Sequence, residues 1–131
     1  MIIIANIHNI HVNDKHVLVY VGRKTSLPKI SNIHDFSSFI HDFSSLGNPF
    51  YMSSETDRDN VCISYDLWFK SNPLIYNALQ NLLSLYIETF KANKILVLLC
   101  FCTPKRCHAE TIKQWLDEVS KLKDYLNDTT S

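Results

Sequence analysis

KILVLLCFC, residues 94–102, decides the fold. It is apolar without alternation, so it reads as a strand buried on both faces, the habit of a parallel sheet inside an α/β domain. Downstream, Thr103–Arg106 reads as a short turn. Ile112, Trp115, Leu116, Val119 and Leu122 then recur at helical spacing and predict a helix from Cys107 to Leu126. Upstream, Ser71-Asn72-Pro73 carries helix-start chemistry, and Ile75, Leu79, Leu82, Leu83, Tyr86 and Phe90 stripe a helix that runs to Ala92. Before it, Val61, Tyr65, Trp68 and Phe69 form the inner face of a helix from Thr56 or Asp57 to Lys70. Buried strand, short loop and amphipathic helix in series predict an α/β fold: one small, three-layer-like domain with a mostly parallel central sheet flanked by helices.

The N-terminal part is read from local signals. Met1–Ile10 is an opening strand, and Lys15–Val21 (KHVLVYV) a stronger one, rich in β-branched and aromatic residues. Asn13-Asp14 between them predicts a hairpin. Residues 24–46 read as an inserted helical segment, with Ser31 or Asn32 capping a helix through Phe36, Phe39, Ile40 and Phe43. Ser44–Tyr51 is loop, and the polar residues 127–131 are expected to fray as a flexible tail.

The chain has 131 residues, 46% hydrophobic and 20% charged, which fits a single domain over residues 1–131. Thirteen basic residues balance thirteen acidic ones, which argues against strong nucleic-acid binding while leaving room for a local basic pocket. The longest apolar run, Ile95 to Cys102, is eight residues, far short of the roughly 20 a membrane helix needs. No basic leader precedes the apolar start, so four reduced cysteines in a cytoplasm are expected, a host cytoplasm for a viral protein.

Chemistry concentrates where the central strand hands over to the last helix: Cys100, Cys102, Cys107 and His108. In open α/β sheets, ligands bind at the carboxyl ends of strands, beside helix N-termini whose free N–H groups attract anions. A thiol in a first helical turn has a lowered pKa, and a histidine there holds its proton less tightly. Three readings compete: a zinc site built from these four residues, a ligand or catalytic pocket reached by Cys107 or His108, and small cysteines filling a core. Cys100 fits the core best, Cys102 either core or pocket, and Cys107 and His108 the pocket. Adjacent Cys107 and His108 chelate one ion awkwardly, so no metal is expected. Glu110 is a candidate general base or a compensator of the helix dipole.

Only two glycines occur where average usage of roughly 7% would give about nine, so their positions are informative. Gly22-Arg23 closes the second strand, and Gly47-Asn48 opens a constrained turn. Glycine there permits positive φ or close approach to backbone. Arg23 offers a forked donor to phosphate or carboxylate, the alternative being a solvated side chain. Arg58, at a helix start, opposes the dipole unless an anion or an acid such as Glu55, Asp57 or Asp59 lies near.

Together, Tyr20-Val21-Gly22-Arg23, Gly47-Asn48-Pro49-Phe50, Arg58 and the C-x-C-x-P-x-x-C-H run from Cys100 to His108 resemble a domain-of-unknown-function family of short bacterial and phage proteins. Three departures stand out: residues 24–46 replace a short spacer, Phe101 stands where the family often has Trp, and Ala109-Glu110 where it often has Gly-Asp. The resemblance implies an α/β domain with a polar site. The leading expectation is binding of a phosphate-bearing, nucleotide-derived small molecule by Gly22, Arg23, Gly47, Asn48, Arg58, Cys102, Cys107 and His108, with its enzymatic processing left open. A phage protein acting on a host nucleotide signal would suit this chemistry. The alternatives are a zinc-stabilised interaction module and a viral protein-binding domain using residues 24–46; a homo-oligomer is compatible with each.

Overall fold

The computed structural model describes residues 1–9, 14–23, 40–101 and 105–130, with side chains described only to residue 121 and not at residue 9. In chain order it forms β1 (Ile2–Asn6), β2 (His16–Tyr20), β3 (Ile40–Asp42), α1 (Arg58–Ser71), α2 (Tyr76–Lys91), β4 (Ile95–Cys100) and α3 (Ala109–Thr130). Single 3-10 turns lie at Ile7–Asn9, Ser44–Leu46, Glu55–Asp57 and Pro73–Ile75.

The four strands make one sheet in the order β1-β4-β2-β3, and every pairing is parallel. The α/β class and the parallel sheet expected from residues 94–102 are present. β4 lies between β1 and β2, and Leu96, Val97, Leu98 and Leu99 are fully buried. Successive side chains point to opposite faces. Leu96, Leu98 and Cys100 join a cluster with Tyr65 and Phe69 of α1, Leu79, Leu82 and Tyr86 of α2, and Ile112 and Leu116 of α3. Val97 and Leu99 join Ile7, Leu18 and Tyr20 in a second cluster on the other face.

Several local expectations are corrected. β1 and β2 do not form a hairpin: each pairs in parallel with β4. The Asn13-Asp14 signal is local, whereas burying β4 along both its edges is a long-range gain that outweighs it. Ile40 belongs to strand β3, paired Leu18↔Ile40 with β2, rather than to a helix with Phe43. The rest of the expected helix, residues 24–39, lies outside the described residues, as does Cys102. Phe90 is 62% exposed, off the buried stripe of α2. α3 continues through Thr130, past the expected end at Leu126, because no Gly or Pro intervenes to stop it. No described helix is long and apolar enough to cross a membrane.

The handover from α2 to β4 shows how a glycine-poor chain ends a helix. Asn93 adopts φ 58°, its N–H donates to the Phe90 carbonyl and that of Lys94 to the Thr89 carbonyl, a Schellman cap with asparagine at the left-handed position. Asn93→Ala should therefore cost about 1 kcal/mol in denaturant unfolding, while Asn93→Gly should cost nothing.

Candidate functional site

The loops that follow β2 and β3 meet at the two glycines. A Cβ on Gly47 would lie 2.6 Å from the Gly22 carbonyl oxygen and 2.9 Å from the Ser44 carbonyl oxygen. A Cβ on Gly22 would meet the Tyr20 ring at 2.5–2.6 Å. Neither glycine has positive φ, so close approach, of backbone at Gly47 and of the Tyr20 ring at Gly22, is what requires them rather than a special dihedral. The buried Tyr65 hydroxyl donates to the Leu46 carbonyl at 2.6 Å and ties the second loop to α1. Burial pushes the Tyr65 phenol far above its ordinary pKa.

Arg23 joins the two loops. Its Nε donates to the Asn48 carbonyl at 2.9 Å and one Nη2 hydrogen to the Phe50 carbonyl at 2.6 Å. Its guanidinium carbon lies 4.1 Å from the centre of the Tyr51 ring. Asn48 Oδ1 accepts from the Phe50 N–H at 2.8 Å and sets the turn that presents those carbonyls. Two of the five guanidinium N–H bonds are committed in this way, and among the described residues no carboxylate pairs with Arg23.

The cations near the pocket other than Arg23 are paired with carboxylates. Both oxygens of Glu55 accept from Arg58 at 2.9 Å, and one also pairs with Lys105 at 3.1 Å. Arg58 Nη1 reaches the Arg106 carbonyl at 3.0 Å, and Arg106 pairs with Asp59 at 3.0 Å. Hydrogen bonds from Arg58 and Lys105 hold the Glu55 carboxyl down at about 2. The acidic partner of Arg58 weighed from sequence is thus Glu55, and the network ties the start of α1 to the residues before α3.

His108 links α3 to β2. Its Nε2 lies 2.6 Å from the Val21 carbonyl, which can only accept, so Nε2 carries the hydrogen and Nδ1 of the neutral ring is an acceptor. Cys107 Sγ lies 3.5 Å from that Nδ1. The Tyr65 ring packs edge-on to the imidazole at 5.0 Å. Burial, more than the helix start, lowers the His108 pKa, with a further push from Arg23 against the hydrogen bond to Val21. Glu110 Oε2 accepts from the Cys107 backbone N–H at 2.8 Å, half of a capping box. Glu110 also lines a separate groove between α1 and α3.

These groups surround one pocket of about 270 Å³ at the carboxyl ends of β2 and β4. Gly22, Arg23, Asn48, Arg58, Cys107 and His108 all line it, and Gly47 lies directly behind Gly22. The sequence reading missed Tyr51, Met52, Val61, Cys62, Phe101 and Arg106, which complete the wall. Cys62 was legible: it shares a helical stripe with Tyr65 and Phe69. Cys100 is buried in the helix-side core, 1% exposed. Among the described residues no group of three metal-binding side chains converges, and Cys62, Cys100 and Cys107 are buried.

The depressed His108 pKa sets a pH window. The unfolded chain takes up the proton near the ordinary 6.5, the folded chain only below it, so the stabilisation is complete above that value and is lost as pH falls through the lower folded value. The thermal midpoint should drop between pH 7 and pH 5, and His108→Gln should flatten that drop. Glu55 and Asp57, both held low by hydrogen bonds, stay ionised through this window.

The model of one protein family, described as Domain of unknown function (DUF4326), matches residues 6–118. No curated protein and no solved structure matches the chain.

Proposed function

Because the chain belongs to the DUF4326 family, whose description carries no activity, we propose a function from the pocket itself: binding of a phosphate-bearing, nucleotide-derived small molecule. The observation that carries this reading is Arg23, a half-buried guanidinium without a carboxylate partner among the described residues, fixed in the wall of an otherwise mostly apolar pocket. Its uncommitted N–H bonds match the oxygens of phosphate or pyrophosphate. Tyr51, Met52 and Phe101 offer flat and polarizable surface to a base. Arg58 contributes less charge than the sequence implied, because Glu55 already neutralises it. A reducing cytoplasm suits the cysteines in the wall, and a phage protein intercepting a host nucleotide signal is one setting for such a binder.

A thermal-shift panel of mononucleotides, cyclic nucleotides and ADP-ribose-type compounds tests the reading, with inorganic phosphate alongside. At a hundredfold excess over Kd, binding stabilises by about 2.7 kcal/mol, a shift of several degrees in a domain of this size. Tyr51→Ala should reduce the nucleotide shift while leaving the unliganded midpoint within about 0.5 kcal/mol of wild type, since the ring is 73% exposed. A panel without any shift contradicts the proposal and favours an interaction module.

A further inference from the structure

We infer that Cys107 and His108 form a thiol nucleophile and its general base, acting on an acyl group carried by a phosphate. The inference rests on the pocket's reading as a phosphate site and adds a reaction to it. Three observations meet here. Cys107 Sγ is 3.5 Å from His108 Nδ1, the nitrogen left without hydrogen by the Nε2 contact to Val21. The Val21 carbonyl holds the imidazole in that orientation and would stay hydrogen-bonded to it as an imidazolium, the role of the third member in nucleophile–base–orienter sets. Both residues line the pocket that Arg23 enters, so an anionic leaving group and the thiol share one cavity.

The step balances without a further reactant. The Cys107 S–H proton passes to His108 Nδ1 as Sγ attacks the acyl carbon. The new C–S bond forms, the bond from the acyl carbon to the bridging oxygen breaks, and phosphate leaves with that oxygen and the electron pair, taking the proton from Nδ1. Arg23 balances the charge on the departing phosphate. A thioester on Cys107 remains, for water or a second nucleophile to cleave. Glu110 takes no part, since its carboxylate caps α3.

Acetyl phosphate is the probe, with thioesters located by peptide mass mapping and confirmed by hydroxylamine release. In the wild-type protein, Cys107 should acylate at least about tenfold faster than Cys62 and Cys100, an internal comparison that needs no variant. His108→Gln should slow it at least about tenfold. Equal labelling of the three thiols, no thioester at Cys107, or a folded His108→Gln protein labelled at the wild-type rate would overturn the inference. A nucleotide shift without thioester leaves the binding site standing and removes the nucleophile; thioester formation without any nucleotide shift does the reverse.

Discussion

Arg23→Ala lowers the thermal midpoint of the unliganded protein by roughly 8–15 °C and abolishes any ligand-induced rise. The size follows from what the guanidinium holds. Two charge-assisted hydrogen bonds, to the carbonyls of Asn48 and Phe50, disappear together, and both acceptors lose their partner. Such bonds are worth about 1.5–3 kcal/mol each; the half-exposed position argues for the lower end, about 2–4 kcal/mol in all. Arg23→Lys separates the two roles. It keeps the charge but not the fork that spans two carbonyls, so it should recover part of the anion response and little of the stability. Thermal unfolding with and without phosphate measures both.

Gly47→Ala should destabilise by about 1–3 kcal/mol, although alanine suits the backbone dihedrals there. The added methyl would meet the Gly22 and Ser44 carbonyls, backbone atoms that no rotamer change can move. The two loops must part, and Arg23, bound to the second loop, must move with them. Urea unfolding should show a lower midpoint with an unchanged slope, and anion binding should weaken in the same variant. A Gly47→Ala protein of wild-type stability would mean that the glycines are not held in contact.

What the sequence revealed and concealed follows from the range of each interaction. Residues 94–102 announced a buried strand because burial on both faces leaves a continuous apolar run. Arg23, Asn48, Arg58 and His108 stood out as punctuation beside predicted elements, and those are the positions where loops meet at the ends of parallel strands. The partner of a strand is a different matter. β1 and β2 each pair with β4, far along the chain, while the hairpin signal between them was local. β3 spans only Ile40–Asp42, too short for a period to register, and it borrows its conformation from β2. The roles of the arginines were also hidden. The sequence narrowed the partner of Arg58 to three nearby acids without choosing Glu55, and nothing in it tells that Arg23 reaches the carbonyls of Asn48 and Phe50. The charge inventory balances over the whole chain, but among the described residues the pocket holds one guanidinium, that of Arg23, without a carboxylate.

The account's central claim is that this guanidinium holds a phosphate-bearing molecule in the pocket beside His108. Native mass spectrometry of the freshly purified protein, with the bound species released and fragmented, tests it most directly. The wild type should carry a stoichiometric adduct that fragments to a nucleoside phosphate and refills from added nucleotide after dialysis, while Arg23→Lys carries little or none. Wild-type protein that shows only the bare chain mass, before and after exposure to the nucleotide panel, would contradict the claim.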